Sequence, residues 1–250
     1  IVLPAYAHKD ILHKIKNYLT DGQIIVLMPG KLGGGLEALH ILRTLNKNIT
    51  IFETESVIIG ARRLDTNKIY IHGIKQNVKI GGINILQDRA SLMNAFKLLK
   101  EIHPEFVLVN NIMEASFSEV GCVLHPVINL LNAGRIESGQ VFLFYVEGVT
   151  LSVAKVIDAL DLERIKIAHS YGISVESVSQ TTKRYYLSSG KDIISVLKDT
   201  DTYKDVKSPT NINNRFLEED VLVSLNLYKI LAELANIDVP IISSIINLTR

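Results

Sequence analysis

Two short apolar runs, "QIIVLMPG" (23–30) and "NITIFETES" (48–56), flank a glycine-rich turn and a helix-patterned stretch, "GGGLEALHILRTL" (33–45). Apolar runs of this length, bounded by turn residues, read as buried strands, and a helix crossing between two strands forces them to pair in parallel. No other feature of the chain restricts its fold so much. It demands an α/β layer with a parallel sheet.

The flanking segments fit that frame. Ile1–Leu3 reads as a further buried strand ending at Pro4, and Ile11, Leu12, Ile15 and Leu19 then recur at helical spacing up to the Asp21-Gly22 turn. "VIIGARRL", "KIYIHGIKQ" and "VKIGGINI" read as shorter strands, and "DRASLMNAFKLLKEI" as a helix capped by Asp88. The sheet domain is expected to close near His103-Pro104.

From about Asn110 the pattern turns helical, with Val153, Val156, Ile157 and Leu160 as one apolar stripe. Helices are expected over Glu114–Leu131, Leu151–Tyr171, Ser174–Thr182, Lys191–Lys198, Glu218–Ala235 and Pro240–Leu248. An α/β part over 1–103 followed by an all-α part over 104–250 is the resulting organisation.

Composition narrows the functional classes. Of 250 residues, 47% are hydrophobic and 21% charged, enough for a sizeable core. Lys and Arg total 27 against 26 acidic residues with no block of like charge, so neither nucleic acid nor a membrane surface is an expected partner. No apolar run reaches membrane-spanning length. Cys122 is the only cysteine, which excludes an intramolecular disulfide and a cysteine-rich zinc site and suits the cytoplasm. No metal is expected, since His8, Asp10 and His13 match no ligand spacing.

Three stretches could carry chemistry. In "GCVLHPVINLLNAGRIESG", proline disfavours the helical conformation at the residue before it, so His125 is expected where one helix breaks and another begins. Both a satisfied core histidine and a general acid/base fit that position. Cys122, three residues earlier, fits a nucleophilic pair with His125, but its apolar neighbours argue for a buried, inert thiol.

In "NRFLEEDV", Arg215 and Asp220 would point in different directions on one ideal helix. An Arg215 at the helix entry reaches outward while Asp220 faces inward; a solvated, acidic helix start fits the same residues. In "MPGKLGGGLEAL", Gly30, Gly33, Gly34 and Gly35 match neither the P-loop nor G-x-G-x-x-G, and a tight turn explains them as well as an anion cradle.

Taken in order, "LPAYAH", "MPGKLGGGLEAL", "FETES", "GARR", "LHPVINLLNAGRIE", "FYVEGVTLSVAKVIDALDLERIKIA" and "NRFLEEDV" resemble the octopine/nopaline (opine) dehydrogenase family across the whole chain. The most specific pieces are His125 to Asn132, the Tyr-x-Glu-Gly run at Tyr145, the Asp-x-Glu-Arg run at Asp161, and the Arg215/Asp220 pair. The resemblance implies the NADH- or NADPH-dependent joining of an α-keto acid to the amino group of an amino acid. It also implies an incomplete Rossmann-type sheet followed by a helical substrate domain, and it is compatible with a homodimer.

Carried onto this chain, the resemblance implies His125 and Asp220 as catalytic residues and Arg215, Asn132 and Lys31 as substrate contacts. Cofactor contacts are implied at Pro4, Gly30 and Glu53. The departures are that Glu119 stands beside His125 where the family often has Asn, that Ala61 replaces a cysteine before Arg62, and that Lys31 replaces a Gln found in some relatives. The family's glycine-rich fingerprint is expected to precede Ile1. Two rival readings are a 2-hydroxy acid dehydrogenase that needs no amine, and a non-catalytic binding module whose exposed strand edge demands a partner.

Overall fold

The computed structural model describes residues 1–249 and, for Arg62, the backbone alone. By packing, the chain forms two units: residues 1–57 with 76–119, and residues 58–75 with everything from Val120 onward.

The elements up to the second unit's main body are α1 (His8–Ile15), β1 (Ile24–Leu27), α2 (Gly34–Leu42), β2 (Thr50–Thr54), β3 (Ile59–Asp65), β4 (Lys68–Ile74), β5 (Lys79–Asn84), α3 (Arg89–Ile102), β6 (Val107–Leu108) and α4 (Ile112–Phe117). As the crossover helix requires, β1 and β2 pair in parallel, with Ile25 opposite Ile51. β5 returns antiparallel to β2, and β6 runs parallel to β5, giving a mixed sheet in the order β1-β2-β5-β6.

Leu12 of α1, Leu27 of β1, Ala38 and Leu42 of α2, and Ile49 and Ile51 at β2 are fully buried together. Truncating one of the large ones, such as Ile51, to alanine would cost about 2–5 kcal/mol. Asp88 caps α3 as its sequence predicts, accepting from the amides of Ala90 and Ser91 at 2.9 and 3.2 Å.

One expectation needs correction in this unit. Ile1–Leu3 forms no strand, and Val2 and Leu3 are exposed. Only Ile1 reaches β1, its backbone nitrogen donating to the Val26 carbonyl at 2.7 Å and its carbonyl accepting from Met28 at 3.0 Å, before Pro4 turns the chain into a 3-10 turn at Ala5–Ala7.

Packing alone carries the sheet unit past His103-Pro104 as far as Glu119. β6 belongs with the sheet because it hydrogen-bonds to β5, and α4 packs on β5 and β2. The hairpin β3–β4 belongs instead with the helical unit. Gly73 lies so close to Thr202 that a Cβ there would sit 2.3 Å from the Thr202 hydroxyl.

The second unit continues with α5 (Gly121–Leu131), α6 (Ala133–Glu137), α7 (Leu151–Ser170), α8 (Val178–Tyr186), α9 (Ile193–Asp199), α10 (Asp201–Lys204), α11 (Arg215–Glu218), a π-helical turn at Asp220–Leu225, α12 (Asn226–Leu234) and α13 (Pro240–Thr249). Among the described residues no helix is long and apolar enough to cross a membrane.

The helix break expected at His125-Pro126 is absent: Pro126 lies inside α5, and the break falls at Ser118–Val120. A proline there cannot donate to the Cys122 carbonyl, at a cost of about 3 kcal/mol. Burial of Cys122, Val123, Val127 and Ile128, all wholly hidden, outweighs it.

The Asp161–Arg164 motif is the fastening of this unit. Arg164, fully buried, donates to Asp161 at 2.8 Å and to the Glu176 carbonyl at 2.6 Å, while the second Asp161 oxygen accepts from the Val178 amide at 2.7 Å and so holds the start of α8. Between them in sequence, Glu163 accepts from the Ile241 and Ile242 amides, both at 2.8 Å, at the start of α13.

Candidate active site

His125 projects from α5, and Asn129, one turn later on the same helix, anchors the segment that completes the site. The Asn129 amide donates to the Ile212 carbonyl at 3.2 Å and its oxygen accepts from Asn214 at 3.5 Å. Asn214 in turn caps α11, accepting from the Phe216 amide at 2.9 Å. The next residues are thereby fixed against α5.

Arg215 therefore opens α11 with its side chain exposed, while Asp220 is buried five residues on. The π-helical turn makes this possible. Its wider i to i+5 bonding, seen in the Ser224 amide donating to the Glu219 carbonyl at 3.3 Å, lets Asp220 face α5.

There the His125 Nδ1 lies 2.7 Å from the Asp220 carboxylate and its Nε2 lies 3.1 Å from the Tyr145 hydroxyl. A carboxylate only accepts, so Nδ1 carries the proton, and in the neutral ring Nε2 accepts from Tyr145. Phe216 stacks on the imidazole at 4.3 Å and 28°. The ring keeps 19% exposure against 3% for Asp220, so proton exchange with the outside passes through the histidine end of the pair.

Tyr145 is itself held by stacking on Tyr203 at 4.1 Å and by the edge of Phe144 at 5.1 Å. Its phenol is held well above the usual tyrosine range, chiefly by burial and then by nearby Tyr203 and Asp220, with the Arg215 charge acting in the opposite sense. Burial likewise pushes Tyr203 up to about 12.

Asn132 lies outside this group. Its amide donates to the Ile128 and Gly148 carbonyls at 2.8 and 3.0 Å, and its oxygen accepts from Arg135 at 3.3 Å, so it ties the end of α5 to the chain after Tyr145. Cys122 is wholly buried, and its apolar surroundings fit an inert thiol.

In the sheet unit the structure gathers the other candidates differently. Lys31, in a left-handed turn, is buried and forms an ion pair with Glu119 at 3.3 Å; Glu119 had been expected beside His125. Pro4 accepts through its carbonyl from the Ala7 amide at 2.9 Å.

Glu53 is wholly buried, accepts from the Gly35 amide and the Ser116 hydroxyl, and has its carboxyl pushed up to about 8 by burial against the pull of those two bonds.

A dinucleotide diphosphate requires free backbone donors and close approach. Three amides of the glycine loop are already bonded within the protein. The Gly30 amide donates to the Thr54 carbonyl and the Gly33 amide to the Ser116 hydroxyl, both at 3.2 Å, and the Gly35 amide is held by Glu53. A Cβ at Gly30 or Gly35 would come within 2.5 or 2.6 Å of Glu53 atoms. These glycines admit Glu53, so their lack of side chains has a packing reason within the protein. Gly30 and Glu53, two of the positions implied for cofactor contact, also pack closely on one another.

Tyr145, Phe216, Asn129 and the π-helical turn are the parts of the site that sequence reading missed. Tyr145, Asn129 and Phe216 lie within the quoted runs, which is the signal that could have found them, whereas the π-helical turn carried none. Among the described residues no group of three or more His, Cys, Asp or Glu could hold a metal ion.

Comparison with known proteins gives a consistent result. The family "NAD/NADP octopine/nopaline dehydrogenase, alpha-helical domain" matches residues 108–250. The chain is 33% identical over 249 residues to an opine dehydrogenase of Arthrobacter sp. (strain 1C), covering 99% of this chain and 68% of that protein. It is 24% identical to a vitopine synthase of Allorhizobium ampelinum over 98% of this chain and 67% of that one.

The fold superposes on octopine dehydrogenase in complex with NADH and agmatine with a TM-score of 0.82 at 20% identity, over 99% of this chain and 67% of that chain. The chain therefore belongs to the octopine/nopaline dehydrogenase family, NAD(P)-dependent oxidoreductases that reductively condense an α-keto acid with the amino group of an amino acid.

Proposed function

We propose that this chain performs the proton and carboxylate handling of an opine-forming reaction, with an α-keto acid and an amino acid as substrates and NADH or NADPH as hydride source. The observation that carries the reading is the 2.7 Å contact between His125 Nδ1 and a buried Asp220. Condensation of amine and ketone passes through a carbinolamine whose hydroxyl leaves as water, and that departure needs a proton.

His125 is suited to supply it through Nε2, because Asp220 holds the other nitrogen, fixes the tautomer and stabilises the imidazolium. Arg215, exposed at the start of α11 and without an ion-pair partner among the described residues, is suited to grip a substrate carboxylate with its planar fork. Phe216 holds the imidazole plane. Asn132 and Lys31 already have protein partners and receive no substrate contact in this reading. The lone cysteine supports a reducing, cytoplasmic location.

The test is NADH and NADPH oxidation by the full-length enzyme with pools of keto acids, with and without amino acids. Oxidation that requires the amine is the expected result. Equal oxidation by keto acid alone would assign the chain to 2-hydroxy acid chemistry.

A further inference from the structure

We propose that Tyr145 is a catalytic residue that relays the proton between His125 Nε2 and the substrate oxygen, an inference that rests on the acid/base role given to His125. The geometry aims Nε2 at the Tyr145 hydroxyl. Of the two ring nitrogens, Nδ1 faces Asp220 at 2.7 Å and Nε2 faces the Tyr145 hydroxyl at 3.1 Å, while Phe216 covers a ring face at 4.3 Å. A proton leaving the imidazolium along its Nε2–H bond arrives at the Tyr145 oxygen.

A hydroxyl can pass that proton on without becoming charged. In the relay the Nε2–H bond breaks as a new O–H bond forms on Tyr145, and the original Tyr145 O–H bond breaks as a bond forms to the carbinolamine oxygen. The carbinolamine C–O bond then breaks, its electron pair leaving with water, and the histidine ends neutral. No oxidant or reductant is needed.

The surroundings favour a relay over an ionising phenol. Tyr145 is nearly closed from solvent, is pinned by Tyr203 and Phe144, and has Asp220 close enough to oppose a phenolate. The Arg215 guanidinium lies 6.0 Å from the Phe216 ring, which itself stacks on His125, so the proposed carboxylate grip sits beside the imidazole.

The experiment compares the wild type with Tyr145→Phe in the full-length enzyme, reading kcat, both substrate KM values, and the rate in mixtures of light and heavy water. The relay predicts a kcat lower by about 10²-fold with KM values within about threefold, since a positioned proton donor contributes on that order. It also predicts a curved dependence of rate on deuterium fraction in the wild type, because two protons move together, and a straight one in the variant.

A variant within threefold of the wild type in kcat, or a straight dependence in the wild type, overturns the relay. If Tyr145→Phe fails to fold, 3,5-difluorotyrosine at 145 replaces it, and a kcat profile against pH that superposes on the wild type overturns the relay. An enzyme that never requires the amine refutes the reaction assigned above, whereas an amine-dependent enzyme indifferent to Tyr145→Phe refutes only the relay.

Discussion

His125 and Asp220 stand 95 residues apart in sequence and share a hydrogen bond of 2.7 Å, with the carboxylate almost wholly buried behind a ring that is itself mostly buried. Replacing Asp220 by Asn keeps the shape and removes the charge that stabilises an imidazolium. Steady-state kinetics should show kcat lower by about 10²–10⁴-fold, with substrate KM values little changed. A variant that keeps kcat would detach Asp220 from the chemistry.

Arg215 should act on binding more than on turnover. Arg215→Lys keeps the charge and loses the planar fork, so the KM of a carboxylate substrate should rise by roughly tenfold while kcat falls much less. Unchanged KM values for both substrates would remove Arg215 from the site.

Glu53 should make stability depend on pH in an unusual direction. Its carboxyl is raised from 4.5 to about 8 by burial, so between those values the folded chain binds a proton that the unfolded chain has released. Stability is therefore lost as pH rises through that window and the penalty is complete above about 8. Denaturant melts of Glu53→Gln should be flatter than the wild type from pH 5 to 8; parallel curves would show that Glu53 does not titrate there.

Asp161→Asn should remove the Asp161 charge from the buried Arg164 guanidinium. The expected loss is about 3–5 kcal/mol in chemical denaturation, with kcat per folded molecule preserved. A loss under about 1 kcal/mol would mean that the other partners of Arg164 satisfy it without the Asp161 charge.

The β1–α2–β2 crossover was legible because apolar runs, turn residues and helical spacing all agree at Ile24–Thr54, and the Asp88 cap because its chemistry is local. Ile1–Leu3 misled because apolar character does not supply ladder partners. Pro126 misled because a proline's local preference yields to a face buried on every turn, and the hairpin β3–β4 because pattern does not say which unit a strand packs on.

At the site, His125, Asp220 and Arg215 were legible through the family resemblance. The π-helical turn that aims Asp220 has no periodic signature in "NRFLEEDV". The part played by Glu53 was hidden because a glycine-rich turn reads the same whether it admits a phosphate or a carboxylate of its own chain.

The measurement that bears most directly on the whole account is amine-dependent NAD(P)H oxidation by full-length His125→Ala, run beside a cofactor-binding titration of the same variant. Turnover should vanish while cofactor affinity stays within about threefold of the wild type, because the residue moves protons and does not hold the dinucleotide. Turnover comparable to the wild type, in a variant that folds and binds cofactor, would contradict the acid/base role of His125 and the mechanism built on it.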